Sequence, residues 1–422
     1  MHHAEEFLYI ENARASKIKK EVFLMRKYLE EGYKNLFENK KDKVYETFNK
    51  QSELDSVFFL DLYDVNVIDL NYRIMYSKVK SRKDSDFFTE EITRATTNML
   101  NYFLLETANN FFNVYFRESI FANKQVQHDF IKFVSYAFND DFMETLKPYN
   151  SHYYILELYK KMLVAFMNIE ENHLYLDYKN SVQEHIKKLS ADEKSFHYAK
   201  LYGYCTLRLN KDRFDDKFRK ESATICREMI NYEYFKTSKG KFLSHELYVG
   251  YLNNFFNSKD PESIIFLINK CIPLMKKKHS SFYEDLSLSN YHFLKRNYFK
   301  ALDYLNKLEV PFFPMHFRVK TLLIKTHFHI GNIEQVLSAI EAYIRFLHSD
   351  KGIPKWQRNN HENFAKFTKK IIFYTDKKKF DELSYLSNVI LKTPDVSYKN
   401  WLLDTIEEFL VKHKKQKLLS RL

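Results

Sequence analysis

Apolar residues recur along this chain at the spacing of a helix, and they do so from end to end. Ile155, Leu158, Tyr159, Met162, Leu163 and Phe166 form one stripe, with Glu157, Lys160 and Lys161 off it. Val126, Phe130, Phe133, Val134 and Ala137 form another. Ile333, Val336, Leu337, Ile340, Tyr343, Ile344 and Leu347 hold the i, i+3, i+4, i+7 pattern over several turns. Side chains so spaced share one face of a helix, so each stripe predicts an amphipathic helix with a buried side. The segment Val57–Tyr76 is double-valued. Leu60, Leu62, Val65 and Val67 alternate like a strand, yet Phe59, Tyr63, Val67, Leu70 and Ile74 fit a helix, and a helix is expected in these surroundings.

Punctuation between the stripes fits helix ends. Asp260-Pro261 places a capping carboxylate before a proline whose missing N–H costs nothing at the first helical position. Ser190 with Glu193 reads as a capping box. Gly331-Asn332 can end one helix in a left-handed glycine and cap the next, and so short a link makes the two helices antiparallel. Composition agrees. With 6 Gly and 7 Pro in 422 residues the chain lacks the turn formers that a sandwich or barrel consumes, while 39 Phe and 31 Tyr supply ample material for a core. The fold class expected is all-α. The polar stretches 80–90 and 236–244 are the expected connections, and the basic segment 412–422 is expected to be a fraying tail.

Two units align between Phe282 and Ile344. Setting Ala301 over Val336 puts Tyr298 over Ile333, Phe293 over Phe328, Leu288 over Leu323 and Leu305 over Ile340, an offset of 35 residues. This pattern resembles the tetratricopeptide repeat, a helix-turn-helix of about 34 residues. Asn297–Ala301 and Gly331–Ile333 stand where that repeat has its inter-helix turn and second-helix start. The repeat's small residues are replaced here by Ser289, Ile324 and Val336. A weaker unit, centred on Phe380–Leu383, follows 47 residues after the second. Tyr198–Met229 and His245–Cys271 have hairpin character without the repeat's consensus. The resemblance implies antiparallel hairpins stacked into a right-handed α-α superhelix over 151–411, with 1–150 an N-terminal helical region of divergent hairpins or a bundle. It also implies a concave groove lined by the exposed face of each first helix. That nominates Tyr283, Leu286 and Asn290 in one unit and Arg318, Thr321 and Lys325 in the next as partner-binding residues.

Candidate chemistry adds little. The closest pair of glycines is Gly240 and Gly250, too far apart for either phosphate-cradling loop or for a nucleophile elbow. His245-Glu246 and His361-Glu362 begin like a zinc-protease motif, but Val249 and Ala365 stand where its second histidine belongs. His327 and His329 are two residues apart and point to different helix faces. Adjacent carboxylates such as Asp140-Asp141, Asp215-Asp216 and Glu407-Glu408 splay apart on a helix. Cys205, Cys226 and Cys271 are widely spaced and read as small core residues of a reducing compartment. No enzyme, metal or cofactor is expected. Nothing resembles a signal peptide, and the densest apolar run, Ile264–Ile268, is far short of the roughly 20 residues of a membrane span. A cytoplasmic protein without membrane contact is expected. The net charge of +12 is spread over every helix, which reads as a solvated surface. Trp356 lies in a basic loop and is expected to anchor it onto the next helix. The function these features favour is a non-enzymatic helical-repeat scaffold or adaptor binding a protein or peptide. The alternative is nucleic-acid binding through a basic face.

Overall fold

A computed structural model describes residues 17–50, 54–76, 82–121, 124–212, 215–236, 242–311, 313–349 and 352–419. The stretches expected to be polar connections or tail lie partly outside them, at 80–81, 237–241 and 420–422. Among the described residues there is no strand, and the chain is a succession of α-helices packed mainly on their sequence neighbours. In order they are α1 (Lys17–Glu30), α2 (Lys34–Lys50), α3 (Ser56–Tyr76), α4 (Arg82–Phe121), α5 (Lys124–Ala137), α6 (Asp140–Leu146), α7 (Tyr153–Met167), α8 (Asn172–His185), α9 (Ala191–Lys211) and α10 (Asp216–Asn231). There follow α11 (His245–Asn257), α12 (Pro261–Cys271), α13 (Lys277–Leu294), α14 (Tyr298–Asn306), α15 (Phe313–Ile330), α16 (Ile333–Ser349), α17 (Lys355–Asp376), α18 (Phe380–Lys392) and α19 (Lys399–Leu419). The double-valued segment 57–76 is helical, as its surroundings dictate. The expected connection at 80–90 is largely absorbed into α4, which starts at Arg82. Likewise, Lys412–Leu419 continue α19.

The chain divides into two compact units. One comprises the described residues up to Arg208 together with 232–236; the other comprises Leu209–Asn231 and the described residues from 242 onward. The expected division at residue 150 falls inside the first.

In the first unit the 40-residue α4 is the central element, packing against α3, α5 and α7. Its buried positions include polar residues that find partners: Asn101 and Asn150 exchange amide hydrogen bonds of 3.3 and 2.6 Å. Such satisfied pairs remove the penalty of a buried amide and fix register. At the start of α9 the capping box forms as the sequence indicates. Ser190 N–H donates to Glu193 Oε2 at 3.0 Å, and Glu193 N–H donates to Ser190 Oγ at 3.1 Å. One turn on, buried His197 meets the Tyr178 hydroxyl at 2.7 Å through Nδ1.

Burial raises the Glu193 carboxyl to about 7 despite the cap. An acid raised on folding holds a proton that the unfolded chain has already lost, so its contribution is full below about 4.5 and disappears as pH rises through 7. The wild-type protein is therefore expected to lose about 3 kcal/mol relative to E193Q over that window, since each tenfold change in proton affinity is worth about 1.4 kcal/mol. Denaturation midpoints of the two proteins at pH 4.5 and 7.5 would reveal it. Parallel curves would remove Glu193 as the cause.

The second unit repeats one device. The links α11–α12, α13–α14, α15–α16 and α17–α18 each contain one residue with positive φ: Lys259 (56°), Arg296 (59°), Gly331 (86°) and Lys378 (54°). In each, the next N–H reaches back five residues, from Asp260 to Phe255, Asn297 to His292, Asn332 to His327 and Lys379 to Tyr374, at 2.8–3.3 Å. This is the closing bond of a helix end with a left-handed cap, here opening directly into the next helix. The cap at Asn332 forms too, its Oδ1 accepting from Gln335 N–H at 3.3 Å. Four hairpins thus share one turn, although only one carries the glycine that the turn favours.

A non-glycine residue in the left-handed region costs about 1 kcal/mol or more. K378G should therefore stabilise the unit by roughly 0.5–1 kcal/mol, after the greater freedom of glycine in the unfolded chain is deducted. G331A should cost about 1 kcal/mol, with no steric component, because an added Cβ at Gly331 meets nothing within 4 Å. Urea midpoints for the pair would check both signs.

Stacking of the hairpins supplies the core. Ile324, Val336, Ile340, Tyr343, Leu347, Phe364, Ile371, Leu383, Ile390 and Leu402 form one continuous cluster through α15–α19. The stripe read from Ile333 to Leu347 is buried at Val336, Ile340, Tyr343 and Leu347, while Ile333 itself is exposed.

Candidate functional site

A cavity of about 580 Å³ opens in the second unit, and the pattern of its walls is regular. Leu252, Asn253 and Phe256 come from α11, Leu286 and Asn290 from α13, Arg318, Thr321 and Lys325 from α15, and His361 from α17. Tyr398 and the first turn of α19, with Lys399 and Trp401, close one side. Every helix from α11 to α17 that opens a hairpin contributes, and α12, α14, α16 and α18 contribute none. The turn shared by the hairpins accords with this: each link closes with the same left-handed residue and the same back-reaching hydrogen bond.

Five of the six nominated residues line this cavity: Leu286, Asn290, Arg318, Thr321 and Lys325. The sixth, Tyr283, is fully buried one turn earlier on α13. Its ring stacks on His245 at 5.4 Å, and its hydroxyl has no hydrogen-bond partner among the described residues. The expectation that these residues occupy an exposed face needs correction. Leu286, Asn290, Thr321 and Lys325 are all buried, and only Arg318 is partly exposed. At Lys325 the reason is that Phe364 of α17 and the rings of Tyr398 and Trp401 come over the face that a bare hairpin would leave open.

Lys325 is the anomaly of the site. The residue is 3% exposed, and no carboxylate pairs with it among the described residues. Its ammonium lies instead 3.6 Å from the centroid of the Tyr398 ring, 5.6 Å from Trp401 and 5.9 Å from Phe364. Three ring faces attract a cation but do not neutralise it. Burial, aided by the Arg318 guanidinium, pulls the Lys325 amine down to about 7. Arg318 itself donates to Asn253 Oδ1 on α11.

His361 is a second buried titratable group in the wall. Tyr343 engages its Nδ1 at 2.7 Å, Phe317 stacks on it at 4.7 Å, and burial holds it down at about 4, so it is neutral at neutral pH. Lys399 donates to the Thr393 carbonyl at 2.5 Å. Among the described residues no aspartate or glutamate lines the cavity.

Tyr398 is held unusually. Its φ is 53°, a region that aromatic residues seldom occupy. The chain is fixed on both sides of it: Ser397 N–H donates to the Asn360 carbonyl at 3.0 Å, and the Tyr398 carbonyl accepts from Leu402 N–H at 3.3 Å. Trp401 donates its indole N–H to His329 Nε2 at 3.2 Å. Neither Tyr398 nor Trp401 is among the residues the sequence nominates. They lie more than 70 residues from Lys325, and single-chain periodicity carries no signal for such a contact.

Trp356 corrects another expectation. It is 58% exposed on the first turn of α17 and anchors nothing, because the helix starts at Lys355 and turns this position outward. Cys205, Cys226 and Cys271 are buried and form no disulfide among the described residues. Among the described residues no three His, Cys, Asp or Glu side chains converge as a metal site would require, and no helix is long and apolar enough to cross a membrane.

Comparison of the chain with protein-family models, with curated proteins and with solved structures finds no match.

Proposed function

We propose that the chain is a non-enzymatic helical-repeat protein, its hairpins stacked as a tetratricopeptide-like superhelix, that holds a protein or peptide partner in the cavity around Lys325. The observation that carries this reading is the alternation itself: first helices line one cavity and second helices stay out of it. Stacked repeats present such a surface because every repeat offers the partner the same face. The volume falls in the range of about 300–1,000 Å³ typical of ligand sites, and the wall mixes apolar groups with a few placed polar ones.

The test is positional photo-crosslinking in the source cell. A photoreactive amino acid at Asn257, exposed at the rim, should trap a protein. The same probe at Tyr385, 71% exposed on α18, should not. Trapping at Tyr385 with none at Asn257 would sink the proposal. A nucleic-acid reading is favoured by one observation, the exposed Trp356 between Lys355 and Arg358, a pairing suited to base stacking. It requires crosslinks to nucleic acid from position 356 and binding that weakens steeply with salt.

A further inference from the structure

Helix α17 buries one side in the stack and leaves the other open. His361, Phe364, Thr368 and Ile372 are buried on the first side. On the other, Trp356, Asn359, Lys366, Lys370 and Phe373 recur at helical spacing, with Lys355 beside Trp356. Trp356 is 58% and Phe373 51% exposed; Asn359 and Lys366 are exposed, and Lys370 is half-buried. Since His361 lines the cavity, this stripe lies on the side of α17 away from it. Two rings thus stand in water at the ends of a row of lysines. Among the described residues no carboxylate pairs with Lys355, Lys366 or Lys370. The acids of α17 are taken elsewhere: Glu362, at the edge of the stripe, meets His348 at 3.0 Å, and Asp376 meets Lys377 at 3.7 Å.

We infer that this face of α17 is a track for single-stranded nucleic acid. Trp356 and Phe373 stack on bases, and Lys355, Lys366 and Lys370 meet the phosphates between them. The inference rests on the nucleic-acid reading given above and supplies its site, on the side of α17 opposite the protein-binding cavity.

Charge and rings together select the occupant. In a chain of net charge +12, lysines without acidic partners on one face attract a polyanion. An acidic protein segment would match the charge but offers the rings no flat face, whereas every base has one. A duplex keeps its base faces stacked on each other, so the strand that uses these rings is unpaired. At about 1.5 Å per residue the two rings lie about 26 Å apart along the helix, room for several nucleotides within the range of about 4–16 that single-strand sites occupy. Asn359, between Trp356 and Lys366, adds an amide donor to the same row.

The lysines fix the salt dependence. Each phosphate neutralised on a single strand contributes about −0.7 to the slope of log affinity against log salt, so three lysines give about −2. Affinity should then fall about twentyfold when salt is raised fourfold, from about 50 to 200 mM.

The full chain is titrated against three fluorescein-labelled probes and followed by anisotropy. They are an oligothymidylate of about twelve nucleotides, the same strand annealed to its complement, and a polyglutamate of equal length. The single strand should bind at least fivefold tighter than either of the others. W356A and F373A should each weaken it at least fivefold, the loss of one stacked base. K366Q/K370Q should weaken it at least tenfold at low salt and reduce the slope from about −2 to about −0.7. K277Q/K278Q, which removes two exposed lysines at the start of α13, should leave binding within twofold of wild type. Folding of each variant is checked by its melt.

Single-strand binding that ignores the α17 variants would keep the nucleic-acid reading and overturn this face as its site. Equal or tighter binding of the duplex or of polyglutamate would overturn the single-strand assignment. Silence from all three probes in a folded protein would overturn both the site and the reading it rests on.

Discussion

Lys325→Met is expected to stabilise the second unit by about 3 kcal/mol at pH 6, with the gain shrinking as pH rises toward 10. The sign follows from linkage. Folding lowers the Lys325 amine from 10.5 to about 7, so between those values the unfolded chain binds a proton that the folded one does not. Stability of the wild type therefore rises with pH across that window, and below it the full cost of burying the charge is present. That cost is roughly 5 kcal/mol, at about 1.4 kcal/mol for each tenfold loss of proton affinity. The ring faces of Tyr398, Trp401 and Phe364 give back about 2 kcal/mol of cation–π attraction, which methionine also forfeits. What remains is the expected gain. Urea denaturation at pH 6 and 9.5, read through Trp401, measures it. A destabilised K325M at both values would mean that the charge is structurally compensated by something other than those rings. A substitution that stabilises a protein at a cavity wall marks a position held for a purpose other than stability.

The opposite effect is expected one residue layer deeper. Phe364 is fully buried, packs 5.4 Å from Tyr398 and 5.8 Å from Trp401, and belongs to the cluster that joins α15 to α19. Phe364→Ala should destabilise the unit by about 3–5 kcal/mol, the transfer loss of the ring plus the void it leaves. Phe364→Leu keeps most of the volume and should cost much less, of the order of 1 kcal/mol. Because the ring also backs the aromatic wall around Lys325, F364A should in addition broaden or shift Trp401 emission in the folded state. A loss below about 1 kcal/mol for F364A would show that the hairpins do not stack through this layer.

The hairpin architecture is legible in the sequence wherever the chemistry of the residue matches the demand of its position. Gly331-Asn332 announces a left-handed cap followed by an N-cap, and both bonds form. The equivalent turns at Lys259, Arg296 and Lys378 are silent, because lysine and arginine carry no preference for positive φ and are held there by the helices on either side. The 35-residue offset survives in apolar columns such as Phe293 over Phe328. The same offset separates the turn residues Arg296 and Gly331.

Five nominated residues converge because they share a helix face, which is a local property that sequence records. Their burial is not legible there. At Lys325 it depends on Phe364 of α17 and on Tyr398 and Trp401, whose approach is fixed by tertiary packing rather than by spacing. The same limit explains Trp356, whose outward direction is decided by where α17 begins. In the first unit the long α4 buries amides such as Asn101 against Asn150, a pairing across 49 positions that no periodicity reveals.

The most direct test of the buried-cation site is the titration of Lys325 itself. In the full chain labelled with 13C at lysine Cε, with K325R supplying the assignment, the Lys325 resonance should titrate with a midpoint near 7. A midpoint near the ordinary value of about 10.4 would place the ammonium in water and contradict the buried, uncompensated cation on which the site is built.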